Sequence, residues 1–586
     1  MPVAVPGGRT VRRLVRRLCR PPVRAAFASA AASAGPEPAP DPVALTERRL
    51  LGLHPGLVRH AGHLAGVRDD LLSWQARDAN LGEVAGALDA AGLDYALVPG
   101  HGFRHRLAIR PGDRAAVLES CVAAFADQPV YFELLGHGRE LGLNPAEGLP
   151  ALVAAVERVP EPEPAGAAEP AEPPEPERVK GLRVFRPSVT TGRTLYYGAD
   201  HGCELEFWDA DAEGSGAVAS IDETPFGSWL PSLETSASVR IADRDVPVLG
   251  LLAGTFPGDI DFPIDAVITW VDDTDERWQQ RRAGALAAAE PELRLDAADH
   301  RYRNRDELRY CLRSIASYAP WVRRIFLVTD DQVPAWLDTA HPGVTVVAHR
   351  ELFADPGVLP VFNSHAIETQ LHRIPGLAEH FLYFNDDLFL GRPVRPQSFF
   401  LGSGLPRVVR NSRTVPPGGR STADSVYTAA QKNARAVLLD AFGRIYPQIL
   451  SHSPYPLCRS LLAASAERFA AGLAATGRSV FRSAADLPPI TLALYAAHAT
   501  GQAVDARLEH FYAVTDRPGE LDRLADLLGR RWADTFCLAD GGGGEVPAEE
   551  QGRVLAAFLR DYFPVASPYE LAPPAGPGSA GAAGPD

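Results

Sequence analysis

A chain of 586 residues with 46% apolar composition is longer than one hydrophobic core usually organises, so two or three domains are expected. The formal net charge of -15 excludes a general nucleic-acid binder, whose phosphate contacts need a basic surface. Any phosphate this protein binds must be met by local positive charge.

The N-terminal stretch departs from that acidic balance. Arg9, Arg12, Arg13, Arg16, Arg17, Arg20 and Arg24 alternate with Val11, Leu14, Val15 and Leu18, a pattern that would give a basic helix with an apolar stripe. Two readings stay open: a disordered extension with a linker to residue 42, or a segment in peripheral contact with an anionic membrane face. It lacks the continuous apolar stretch of a secretory signal, and no run elsewhere approaches the roughly 20 apolar residues of a spanning helix.

Residues 43–156 predict a small α/β accessory domain, with a helix over Leu81–Ala91, strands at Tyr95–Pro99 and Leu107–Ile109, and a helix over Arg114–Phe125. Residues 157–178 repeat Pro, Glu and Ala and read as a linker, because they hold too little apolar surface to offset ordering. Residues 179–262 carry LRVF, TLYYG and CELEFW and predict a β-rich accessory region. The six cysteines are scattered, with no CxxC pair, and fit a reduced, cytoplasmic protein.

From residue 263 to 571 the rhythm changes to strand, helix, strand, as in a parallel sheet covered by helices. AVITWV, RIFLVTD, VTVVAH and HFLYF read as buried strands, and Asp306–Tyr318 as a helix. Residues 572–586 are Gly-, Ala- and Pro-rich and read as a disordered tail.

Ligands of open α/β sheets sit at the carboxyl ends of the strands, and here those ends are acidic. AVITWV runs into Asp272, Asp273 and Asp275; RIFLVT into Asp330 and Asp331; FLYF into Asn385, Asp386 and Asp387. One such acid caps a helix or opens a turn, but carboxylates from neighbouring strands can together hold Mg²⁺ (or Mn²⁺) against a diphosphate. Asp386 and Asp387 are the first choice for that role. Arg309 and Arg313, four residues apart on one helix face, suit forked contact with phosphate oxygens, or else form a solvated basic face. Asp306, at the start of that helix, reads first as a cap.

Taken together these strings resemble the Stealth family of bacterial capsule and cell-wall polysaccharide phosphotransferases. The resemblance rests on IDAVITWVDDTDERW (Ile264–Trp278), RDELRYCLRSIASYAPWVRRIFLVTDDQVPAWL (Arg305–Leu337), LPVFNSHAIETQLHRIPGLAEHFLYFNDDLFLG (Leu359–Gly391), and FCLAD (Phe536–Asp540) followed by YFPVASPYEL. It implies a Rossmann-like, glycosyltransferase-A-related α/β core that moves sugar-1-phosphate from a UDP-sugar donor to a polysaccharide or oligosaccharide acceptor, releasing UMP.

By the same resemblance, Trp270, Val271 and Asp272 end a nucleotide-binding strand, although Asp272-Asp273 stands where the family usually has Asn-Gly. Arg309 and Arg313 belong to the second block, which opens here on Asn304-Arg305-Asp306 rather than the frequent Asp-Asn form. Asn363, Ser364 and His365 belong to the third and bind substrate or cap a helix beneath it. His452 of HSPYP and Arg482 of FRS correspond to the catalytic His and phosphate-binding Arg. Asp540 remains as a metal or acceptor ligand where Ala539 replaces the family's Asn. His452 is then the first choice for the base that deprotonates the acceptor hydroxyl, and Asp306 the second. Two other functions stay open: a glycosyltransferase forming a glycosidic bond, and a non-catalytic glycan-binding scaffold.

Overall fold

The computed structural model describes residues 42–100, 102–135, 141–144, 179–211, 215–290 and 298–572, together with residues 149 and 153. The basic N-terminal stretch, the 157–178 linker and the tail from 573 lie outside the described residues. The chain divides into two compact units that meet in sequence between Pro257 and Gly258. Among the described residues no helix is long and apolar enough to cross a membrane.

In the first unit an eight-stranded sheet runs in the order Thr235–Ile241, Arg244–Leu249, Tyr95–Leu97, Arg106–Ile109, Cys203–Phe207, Gly181–Phe185, Tyr131–Leu135, Leu141–Asn144. Strands from both sides of 157–178 therefore alternate in one sheet, where the sequence predicts two separate accessory regions. Helices Ser73–Ala90 and Arg114–Phe125 share its core through Leu81, Leu88, Val117 and Phe125. The first helix begins eight residues before the predicted Leu81 because its polar N-terminal half is buried with partners. Asp78 meets His105 Nε2 at 2.7 Å, and Asn80 donates to the carbonyls of Ala76 and His201 while accepting from the Arg186 N–H. Paired polar groups can be buried at little cost, so apolar periodicity alone misses such a turn.

The second unit is built on a five-stranded sheet of β1 (Ile264–Thr269), β2 (Val322–Thr329), β3 (Val344–Ala348), β4 (His380–Asn385) and β5 (Tyr455–Cys458). Its order is β3-β2-β1-β4-β5, parallel except for β5, so the predicted α/β, Rossmann-like core is present. Strand residues alternate between faces. Ala266, Ile268, Leu382 and Phe384 pack on one side with Leu312 and Phe558 of helices Glu307–Tyr318 and Ala548–Tyr562. Val267, Phe326, Phe381 and Tyr383 pack on the other with Leu492 and Tyr495 of helix Pro489–Ala499.

The order reverses between β1 and β4, whose pairing runs from Ile264↔His380 to Thr269↔Asn385. At such a switch point the connections leave in opposite directions and open a crevice beyond the strand ends. The chain that follows Thr269 and the chain that follows Asn385 are thereby set side by side at its mouth. Because β5 runs antiparallel to β4, with Tyr383↔Tyr455 in register, the turn preceding β5 reaches the same end of the sheet. That turn carries His452.

Candidate active site

Beyond β4 the chain turns through Asp386 and Asp387 into a short strand, Leu388–Leu390, which pairs with Thr535–Ala539. The register Leu388↔Cys537 places the buried Cys537 thiol beside Asp387, with Sγ 3.4 Å from Oδ2. The other oxygen, Oδ1, is buried without a hydrogen-bond partner and lies 4.0 Å from His452 Nε2. The His452 ring is held from behind, its Nδ1 3.0 Å from the Tyr455 hydroxyl. Asp387, His452 and Cys537 each offer a ligand atom within 4.8 Å of the others.

Carboxylates crowd this point. Burial raises the Asp386 carboxyl well above its ordinary value, and the neighbouring charges of Asp387 and Glu307 push it the same way. Glu307 is itself pushed up to about 7 by burial, with Arg305 opposing and Asp387 adding to the rise. A cluster that resists its own ionisation, with an orphaned carboxylate oxygen, is what a divalent cation relieves. Asp386 and Asp387 thus fit the implied Mg²⁺ or Mn²⁺.

Positive charge enters from Arg482, which donates from Nη2 to Ser364 Oγ at 2.7 Å. Burial lowers the pKa of His452; Asp387 opposes that and Arg482 adds to it, so the imidazole is neutral at pH 7. Arg482 also faces Glu368, a buried carboxyl that desolvation pushes up to about 8 against the pull of Arg482. Asp387, His452, Arg482 and Ser364 are therefore brought together around one point, and Glu368 belongs with them.

The other expected ligands divide by what holds them. Asn363 and His365 are buried and act on the fold. Asn363 Oδ1 accepts from the His365 N–H as the cap of helix Ser364–Glu368, and its amide donates to Asp486 Oδ2 at 2.8 Å. Asp486 also accepts from the Ser483 N–H, which anchors the segment carrying Arg482. His365, 3.5 Å from Asp486 and 5% exposed, has its pKa lowered by burial against the pull of Asp486. These contacts tie Ser364 and the segment of Arg482 to one network.

At the end of β1, Trp270 is buried with its indole N–H unpartnered, and Val271 packs against the Trp278, Phe362 and Phe481 cluster. Asp272 Oδ1 is consumed locally by the Thr274 N–H, the Thr274 hydroxyl and Asn304 Nδ2. Gln332 then clamps the Asp272 backbone on both sides, accepting from its N–H and donating to its carbonyl. Asp272 thus shapes the loop through Oδ1 and its backbone.

Arg313, Arg309 and Asp306 form a separate group. The Arg313 guanidinium is taken in a fork by Glu570, with both contacts at 2.7 Å, and by the Phe563 carbonyl. Arg309 pairs with Asp306 Oδ2 at 3.1 Å and lies over Trp336. Asp306 occupies the left-handed region, φ 67°, at the start of helix Glu307–Tyr318, and makes no side-chain cap bond. Burial raises its carboxyl, with Glu570 adding to the rise, while Arg309, Trp336 and Arg313 oppose it. Arg313 and Asp306 thus have partners within the chain, Glu570 and Arg309.

Asp540 is likewise spoken for. Its Oδ2 accepts from Arg303 and Arg305, at 2.6 and 2.8 Å, and Oδ1 from the Gly542 N–H. Burial works to raise this carboxyl, yet the hydrogen bond and charge of Arg305 win and hold it low. Asp540 is therefore held in an ion pair with Arg303 and Arg305, apart from the carboxylates of Asp386 and Asp387, where the charge of Asp387 raises Asp386.

An outcome separates the two readings of Arg313. Arg313→Ala takes the guanidinium fork from Glu570, which keeps its hydrogen bonds from Ser567 and the more distant Arg309, and is expected to cost about 1.5–3 kcal/mol of stability. Urea unfolding checks this; an unchanged midpoint with weakened donor binding would restore the phosphate role.

The chain matches the family models described as Stealth protein conserved region 1 over residues 262–289, region 2 over 301–408, region 3 over 451–497 and region 4 over 525–576. An exopolysaccharide phosphotransferase of Streptomyces coelicolor is 42% identical over 523 residues, 88% of this chain and 53% of that protein. The chain thus spans about half the length of that relative. A second from the same organism is 38% identical over 528 residues, covering 88% of this chain and 86% of the relative. The exopolysaccharide phosphotransferase CpsY of Mycobacterium tuberculosis is 33% identical over 529 residues, 88% of this chain and 93% of its own. A solved galactosyltransferase, LgtC, in complex with donor and acceptor sugar analogues, shows a remote likeness: TM-score 0.25, 10% identity, 50% of this chain and 95% of that one. The fold stands on its own sheet order and not on that likeness. With all four conserved regions in sequence along it, and relatives aligned over 88% of its length, the chain belongs to the Stealth family.

Proposed function

We propose that the protein is a phosphotransferase that moves hexose-1-phosphate or N-acetylhexosamine-1-phosphate from a UDP-sugar to a glycan hydroxyl, making phosphodiester-linked cell-surface polysaccharide. The observation that carries the reading is the His452 imidazole, held at Nδ1 by Tyr455, with Nε2 turned toward Asp387 and Arg482 close by. The printed names of the relatives, exopolysaccharide phosphotransferases, point the same way.

In this reading the acceptor oxygen attacks the phosphorus nearer the sugar, the bridging P–O bond to UMP breaks, and the acceptor proton passes to His452 Nε2. Phosphoryl transfer asks little covalent work of a protein and much placement of charge. Arg482, fixed by Ser364 and the Asp486 network, meets the equatorial oxygens. A divalent cation held by Asp386 and Asp387 supplies further neutralisation of the diphosphate when bound. Glu368, kept protonated by burial, donates rather than repels beside the phosphate. The five described cysteines, all buried and free, accord with action in the cytoplasm, and the basic N-terminal segment with peripheral contact at the inner membrane face.

The sign of the pH dependence follows. A base must be unprotonated, and His452 is lowered from the usual 6.5, so activity is retained below that pH and lost as pH falls through the lowered value. Single-turnover rates against pH check this; an acid limb above 6.5 contradicts it. For the reaction itself, the full chain is incubated with a panel of UDP-sugars, Mg²⁺ and an oligosaccharide acceptor. UMP release supports the reading; UDP release makes the protein a glycosyltransferase, and no release with any donor leaves the scaffold reading.

A further inference from the structure

We infer that Asp387, His452 and Cys537 form a thiophilic metal site, selective for Zn²⁺ over Mg²⁺, through which zinc arrests the enzyme by occupying its base. The three side chains come from three places in the chain and converge because of strand register. Asp387 follows β4, His452 precedes its antiparallel neighbour β5, and Cys537 is opposite Leu388 in the adjoining small sheet. Their ligand atoms lie within 4.8 Å of one another.

The donor set decides the metal. Mg²⁺ demands hard oxygen ligands and near-octahedral geometry, and gains nothing from sulfur. One thiolate, one imidazole and one carboxylate, with a further position open, is a zinc donor set. Each donor is prepared for the task. Tyr455 holds Nδ1 and leaves Nε2 as the ligand atom, the outer-shell arrangement that orients metal-binding histidines. Asp387 Oδ1 has no hydrogen-bond partner. The Cys537 thiol already faces Asp387 Oδ2, and on metal binding its S–H proton is released to solvent while Asp387 stays ionised as a ligand. His452 and Asp387 side chains are 34% and 27% exposed, which gives an ion a way in.

Binding releases one thiol proton and forms S–Zn, N–Zn and O–Zn bonds. The lone pair at Nε2 is then unavailable to an acceptor hydroxyl, and Asp387 is drawn away from the hard cation. Zinc would therefore inhibit against an excess of Mg²⁺. That consequence rests on the proposed phosphotransfer; the binding does not.

The test uses the metal-free full chain titrated with Co²⁺, whose thiolate complexes show a near-ultraviolet charge-transfer band. The band is expected to appear, to be displaced by Zn²⁺, to vanish in Cys537→Ala and to persist in Cys458→Ala. Since Cys537 is buried in the core, Tyr455→Phe reads the same site without opening a cavity there, and is expected to weaken Co²⁺ binding about tenfold. A Co²⁺ complex lacking the band, a band that survives Cys537→Ala, or unchanged affinity in Tyr455→Phe overturns the site. In the second arm, micromolar Zn²⁺ suppresses UMP release in millimolar Mg²⁺ and a chelator restores it. A band without inhibition overturns the regulatory claim. A band in a protein that releases no nucleotide before zinc is added leaves the site standing and removes the reaction instead.

Discussion

His452→Ala is expected to lower sugar-phosphate transfer by about 10²–10⁴-fold while sparing donor binding, the usual worth of a positioned general base. The imidazole contacts Tyr455 and faces Asp387, and its ring lies 6.3 Å from that of Tyr512. Tyr455 and Tyr512 are held by their own strands and by packing against the cores, not by the imidazole, so the variant is expected to fold and its thermal shift with UDP-sugar and Mg²⁺ to stay that of the wild type. Loss of UDP affinity with normal turnover would reverse the assignment, making His452 a nucleotide ligand.

Arg482→Ala is expected to cost about 10²–10³-fold in kcat/KM, the range found when one preorganised donor to developing negative charge is removed. Arg482→Lys recovers only part of that, because an ammonium cannot reproduce a planar fork held at Ser364 Oγ. The measurement is steady-state kinetics on both variants beside their melting curves. A Lys variant with full activity would show that charge alone matters; an Ala variant with full activity would take Arg482 out of the site.

Much of this centre is legible in the chain because buried strands that end in acids mark the carboxyl edge of a parallel sheet. Asp386-Asp387 stand out for that reason. What sequence cannot supply is who already holds a given side chain. Arg313 has the spacing of a phosphate-binding face, but its partner is Glu570, 257 residues away. Asp540 stands in a recognisable motif, yet Arg303 and Arg305 neutralise it from the far side of the chain. Asp306 is paired with Arg309.

The omissions have a related cause. Glu368 lies in the string FNSHAIE beside residues that do attract notice, and its signal is a lone carboxyl in an apolar setting, buried where Arg482 can reach it. Glu307 is hidden by its neighbour Asp306, which reads as the cap; only the fold brings its charge within reach of Asp386 and Asp387. Cys537 reads as a core cysteine and is one, but the Leu388↔Cys537 register also makes it a neighbour of Asp387. The strand order β3-β2-β1-β4 is equally invisible in sequence, since hydrophobic runs identify strands without saying which ones pair.

The central claim is that the sugar leaves the donor with its phosphate attached. A UDP-sugar labelled at the phosphorus nearer the sugar, incubated with the full chain, Mg²⁺ and an oligosaccharide acceptor, tests it directly. The account predicts that the label appears on the acceptor as a phosphodiester, and that Asp387→Asn and His452→Ala slow its transfer by about 10²-fold or more. Label retained in UDP, with unlabelled sugar on the acceptor, would contradict it.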